Sequence, residues 1–142
     1  MTVTGVSGEV VDAKQLVRRL VDDVINGGDL DLLDELCEQR LAGTLRLAFE
    51  QFRSAFPDWH QEVVELVHEG ATVVARFRCS GTHRGRWKGL APSGRAMRVD
   101  KVYFFRTTAG RITGLWGLEA TWTRMRQLAG DDATAGELGA LG

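Results

Sequence analysis

The hydrophobic pattern of the chain changes period once, next to Pro57, and that change limits the fold more than any other feature. Upstream of it, apolar residues recur three and four apart. Val10, Val11, Leu16, Val17, Leu20, Val21, Val24 and Ile25 draw one wide stripe, which predicts an amphipathic helix starting at Glu9. Asn26-Gly27-Gly28 ends it, because glycine accepts the left-handed backbone that many helix C-termini need. Asp29 can cap a short second helix with Leu30, Leu33, Leu36 and Cys37 on its apolar face. A third helix, from Arg40 to Ala55, sets Leu41, Leu45, Ala48, Phe49, Phe52 and Phe56 on one side, and Pro57 stops it.

Downstream the period becomes two. A strand is predicted from His60 to His68, followed by a Glu69-Gly70 turn. The next runs from Thr72 to Thr82, setting Val73, Ala75, Phe77 and Cys79 against Val74, Arg76, Arg78 and Ser80. A glycine-rich loop from His83 to Arg95 separates it from a strand over Ala96 to Thr107. The Thr108-Ala109-Gly110 turn leads to a last strand over Arg111 to Glu119. A final helix over Thr121 to Leu128 buries Trp122, Met125 and Leu128. Helices first and hairpin-linked strands afterwards argue an α+β fold, with one antiparallel sheet covering the helices on its concave face. Residues 9–129 form a single domain in this reading. Residues 1–8 are expected to be flexible, and the Gly/Ala/Asp-rich tail over 130–142 to be disordered.

Charge excludes some partners. Eighteen Lys plus Arg against nineteen Asp plus Glu give a formal net charge of −1, which offers no global field to nucleic acid or an anionic membrane. No apolar run approaches the roughly 20 residues of a membrane helix, and the N-terminus has no basic-then-apolar leader pattern. A cytoplasmic protein is the expectation. Cys37 and Cys79 belong to no CxxC or Cys/His cluster and read as buried thiols, and no pair of histidines has metal spacing.

A set of short motifs then narrows the family. Ala55-Phe56-Pro57-Asp58, Val73-Val74-Ala75-Arg76-Phe77, Gly81-Thr82-His83-Arg84-Gly85, Pro92-Ser93-Gly94-Arg95, Phe104-Phe105-Arg106, Gly110-Arg111-Ile112, Trp116 and Arg126-Gln127-Leu128 occur in an order and spacing that resemble SnoaL-like polyketide cyclases over residues 10–129. The resemblance implies a cone: a strongly curved sheet wrapped on N-terminal helices around an interior cavity. It implies a hydrophobic small-molecule substrate, ring closure without a cofactor, and a homodimer packed through the outer sheet face. Cyclases of the family typically carry an acid/base aspartate four residues after the tryptophan that matches Trp116. Here that position is Ala120, preceded by Glu119. The segment from Leu36 to Thr44 lacks the His/Asp-bearing strand that relatives place there, which argues against isomerase chemistry of the ketosteroid type. The Arg-x-Asp pattern of epoxide hydrolases is replaced by Arg76-Phe77-Arg78.

Candidate chemistry follows from residue type and strand face. Leu115, Gly117 and Glu119 share one face of the last strand. A Glu119 carboxylate desolvated there is a usable general acid or base, or else a solvated strand end. Lys101, Tyr103 and Phe105 share a face of the preceding strand, and Tyr103, the one tyrosine, can donate a hydrogen bond to a developing enolate. His83 can shuttle a proton or anchor its loop. Arg76 interrupts an apolar strand and needs a partner: Glu119, Asp100 or a ligand oxygen. Trp87 can cover the cavity mouth as a lid, and Trp116 can contact substrate. The expected function is aldol-type or pericyclic ring closure, with Glu119, Tyr103 and His83 catalytic and Arg76, Trp87, Lys101, Phe105 and Trp116 contacting substrate. The alternatives are a non-catalytic binder of the same fold and an epoxide hydrolase or hydroxylase.

Overall fold

The computed structural model describes residues 3–4, 10–119 and 127–128. Strand β1 (Val3–Thr4) pairs with β2 (Val10–Val11). The first helix therefore begins later than its apolar stripe predicts: Val10 and Val11 are extended, and Asp12 is the N-cap, accepting the Lys14 N–H at 2.9 Å. Helix α1 (Ala13–Arg19) continues without a break as a π-helical stretch, Leu20–Asn26. A 3₁₀ turn (Leu30–Leu32) leads into α2 (Leu33–Leu36). Helix α3 (Gln39–Ala55) is capped by Glu38, whose carboxylate accepts the N–H of Leu41 at 2.8 Å.

Strands β3 (His60–Glu69), β4 (Thr72–Thr82), β5 (Ala96–Thr108) and β6 (Arg111–Glu119) form one antiparallel sheet in sequence order, curved and unclosed. The period-two reading placed these strands to within a residue. The turn between β5 and β6 holds Ala109 and Gly110 at φ of 51° and 77°, the paired left-handed geometry that matches strand twist in tight hairpins. A bulge between Val63 and Glu65 interrupts the β3–β4 register, a device that bends an edge strand. Edge strand β6 is met at one point by the helical layer, where the Glu38 N–H donates to the Ile112 carbonyl at 2.9 Å.

The core lies between the concave sheet face and the helices. Val73, Ala75, Phe77 and Cys79 are fully buried on β4, against Val17, Val21, Val24, Leu33 and Leu36. Two polar clasps join the layers. Asn26 donates through Nδ2 to the Gln61 carbonyl and accepts the Gln61 N–H, both at 2.8 Å. Asp58 accepts both the Thr82 N–H and the Thr82 hydroxyl at 2.7 Å, and these two bonds hold its carboxyl below the usual range. The predicted final helix lies outside the described residues except Gln127 and Leu128. These two are helical, and Gln127 bonds both backbone groups of Arg98. Among the described residues, no helix is long and apolar enough to cross a membrane.

Cys37 and Cys79 are both buried thiols outside any disulfide. Burial, reinforced by the Glu38 carboxylate, pushes the Cys37 thiol up to about 11. Neither thiol should react with Ellman's reagent in the native protein on the timescale of minutes. Both should titrate once guanidinium unfolds the chain.

Candidate active site

The β4–β5 ladder runs unbroken from Thr72↔Arg106 to Thr82↔Ala96. Successive residues of β5 point to opposite faces, so Lys101, Tyr103 and Phe105 all face the helices. In β6 the register pairs Leu115 with Phe105, Gly117 with Tyr103 and Glu119 with Lys101. The Tyr103 ring lies over Gly117: a Cβ at that position would overlap the ring edge at Cγ, Cδ1 and Cε1. Glycine is therefore required at 117 for β5 to present a tyrosine inward. Gly117→Ala should displace the ring and lower stability by about 1–3 kcal/mol, read as a shift in the denaturant midpoint.

These strands wall a cavity of about 210 Å³. Helix α3 contributes Leu45, Ala48, Phe49, Phe52 and Arg53, and the first helix contributes Leu20 and Ile25. The sheet side supplies Lys101, Tyr103, Phe105 and Leu115, together with Trp59 and Gln61. The lining is overwhelmingly apolar, with a few polar groups set into it, the usual make-up of a small-molecule site.

Lys101 is the most informative of those groups. It is only 6% exposed, and its ammonium sits 4.6 Å from the Phe52 ring centre, 4.8 Å from Trp59 and 5.8 Å from Tyr103. Three ring faces thus stabilise a cation that burial alone would disfavour. Trp59 donates through its indole N–H to Gln61 Oε1 at 3.3 Å, which fixes the ring under the ammonium. Arg53 lies against Gly28 and donates through one terminal nitrogen to the carbonyls of Ile25 and Asn26, at 3.3 and 3.0 Å. Its Nε is buried without a hydrogen-bond partner among the described residues.

Of the residues expected at the site, Lys101, Tyr103 and Phe105 come together at the cavity. Glu119 pairs in register with Lys101, and its side chain, like Ala120, lies outside the described residues. The others are elsewhere. Arg76 belongs to the outer sheet face, where its partner is Asp100 at 3.7 Å. Arg78 reaches the same carboxylate at 3.8 Å, so this strand's cations form a surface ion cluster. Trp116 is 58% exposed and stacks on Phe104 with centroids 4.4 Å apart. Trp116 shares β6 with Leu115 but is one residue out of phase, so it faces away from this cavity.

Trp87 does not form a lid over the cavity. It packs behind Phe52, 4.5 Å between centroids, and against Phe56 at 5.7 Å, so it supports a wall from outside. His83 is wholly buried away from the cavity lining, beside Phe56 at 5.7 Å, with Nδ1 2.9 Å from the Ser93 hydroxyl. It closes the base of its loop, where its backbone also bonds Arg95 and Gly94. Trp59, Gln61 and Arg53 were missed. A cation at position 53, beside the apolar face of α3, was the readable signal for Arg53.

Burial lowers the His83 pKa, partly offset by the Gly85 backbone. The unfolded chain, with a histidine near its ordinary value of about 6.5, then binds the extra proton first. Stability is complete above that value and falls as pH drops from it toward the lower folded value. Melting temperature should therefore decline between pH 7 and pH 5.5, and His83→Gln should flatten that dependence.

Similarity to known proteins agrees with this architecture. TsrD from Streptomyces laurentii superposes with a TM-score of 0.73 at 25% identity, covering 89% of this chain and 94% of its own. IdmH from Streptomyces antibioticus, assigned as a polyketide cyclase, superposes at 0.69 and 23% identity, with coverage of 82% and 98%. AclR from Streptomyces galilaeus, assigned as a hydroxylase, does so at 0.73 and 23%, with coverage of 89% and 87%. No curated protein sequence gives a significant match. The sequence model described as SnoaL-like polyketide cyclase matches residues 15–128, a span that contains every described wall of the cavity, and the chain belongs to that family.

Proposed function

We propose that this chain is a cofactor-independent cyclase that closes a ring in an apolar, polyketide-like intermediate of secondary metabolism in the cytoplasm. One observation carries the reading: Lys101 and Tyr103 stand side by side on β5 in a largely apolar cavity. A dry pocket holds a flexible substrate in a reactive fold. Donors placed in it stabilise charge that develops on a carbonyl oxygen.

In an aldol-type closure, a base removes the proton between two carbonyl groups and the enolate carbon attacks a second carbonyl carbon. The resulting alkoxide then takes up a proton. Lys101 and Tyr103 are the donors to the enolate oxygen in this reading. Glu119, opposite Lys101 in the ladder, is the group that takes and returns the proton. A pericyclic closure would use the same cavity and donors without the base. Turnover of a poly-β-ketone analogue by Glu119→Gln separates the two. A fall of about 10²–10⁴-fold in kcat is expected for the acid/base route, and unchanged turnover overturns it. Lys101→Met should lower kcat by about 10²–10³-fold on either route. Stoichiometric binding by the wild-type protein with no chemical change would instead make it a binding protein.

We also propose a homodimer formed through the outer sheet face. Val67, Val74, Phe104 and Trp116 fall in one row across all four strands by register. Val67, Trp116 and neighbouring Leu118 are 53%, 58% and 69% exposed, and an apolar stripe of this kind suits self-association. Leu118→Lys should shift the species seen by analytical ultracentrifugation from dimer to monomer.

A further inference from the structure

We infer that the ligand of this cavity is a carboxylate anion on a body of one or two rings. The inference deepens the functional reading above and rests on it for the identity of the site.

The charge balance of the walls carries the argument. The cavity is lined by two cations on different elements, Arg53 from α3 and Lys101 from β5, and by no described acid. Arg53 makes no ion pair among the described residues. The carbonyls of Ile25 and Asn26 that it caps carry only partial charges. Even a carboxylate from Glu119, at the ladder position opposite Lys101, would be one acid against two cations. Among the described residues, with Glu119 counted in, one positive charge is left over in a largely apolar site, where Coulombic attraction is strong.

The donors also have capacity for an anion. The Arg53 Nε–H is buried with no acceptor among the described residues, an arrangement that costs free energy unless a ligand supplies the acceptor. Its neighbour in sequence, Phe52, is one of the rings under the Lys101 ammonium, so both cations border the same aromatic wall. Two cationic residues on two elements of one lining suit an acceptor with two oxygens. A carboxylate is already ionised at neutral pH, whereas an enol must first lose a proton.

Size and shape set the remainder of the molecule. At about 210 Å³ the cavity is smaller than the roughly 300–1,000 Å³ typical of drug-sized ligands. The tilted faces of Phe52 and Trp59, 4.8 Å apart between centroids, favour a flat ring system.

Calorimetric titration with 2-naphthoate and its neutral isostere 2-naphthamide at pH 7.5 tests this. The acid should bind at least ten-fold more tightly than the amide. That preference should shrink to under three-fold in Lys101→Met, Arg53→Gln or both, with circular dichroism reporting that each variant is folded. Equal affinities for acid and amide would overturn the inference and leave the apolar cavity standing as a ligand site. So would a preference undiminished in both variants. Failure of the folded wild-type protein to bind either compound would overturn the cavity reading and this inference together.

Discussion

The unbroken backbone ladder between β4 and β5 is the constraint on which the site depends. Its eleven pairs, from Thr72↔Arg106 to Thr82↔Ala96, fix which β5 side chains meet the helices. A slip of one residue would send Lys101, Tyr103 and Phe105 to the outer face and bring Asp100, Val102 and Phe104 inward. Such a slip is opposed by the burial of Val73, Ala75, Phe77 and Cys79 on the neighbouring strand. It is also opposed by Gly117, which alone leaves room for the tyrosine ring. The chemistry is thus positioned by packing on the strands to either side of it.

Lys101 shows how the cavity keeps a charge. A buried ammonium is costly in a hydrocarbon environment. Here the negative ring faces of Phe52, Trp59 and Tyr103 take the place of part of its hydration. Those rings are themselves braced. Trp59 is tied to Gln61, Gln61 to Asn26, and Phe52 is backed by Trp87. The end of the first helix, the start of β3 and the long loop therefore all converge on one side chain.

The strands were legible in the sequence almost residue by residue, because alternation of apolar and polar positions is a direct record of which face is buried. Lys101, Tyr103 and Phe105 were placed correctly for that reason. The substrate-contact readings of Trp116 and Arg76 went against that rule, because residue type was allowed to outweigh phase. A tryptophan and an arginine attract functional readings, yet each sits on the face that period two assigns to the exterior. His83 and Trp87 were unreadable for a different cause. Loop residues have no period, and whether they face the cavity or brace α3 depends on how the loop returns over the helix. The first helix began late because Asp12 offered a cap that the apolar stripe, running back to Val10, concealed.

The loop between β4 and β5 is anchored at its base. Arg84 and Gly85 donate to the Ala55 carbonyl at the end of α3, and Trp87 supports Phe52. Its tip, Lys88–Gly89, turns tightly between Trp87 and Leu90 with both residues exposed, and neither reaches the cavity wall. Extra chain tolerated at such tips places little strain on what lies below. An epitope or a tether grafted between Lys88 and Gly89 would accordingly give a handle for immobilising this protein while leaving its interior as it is.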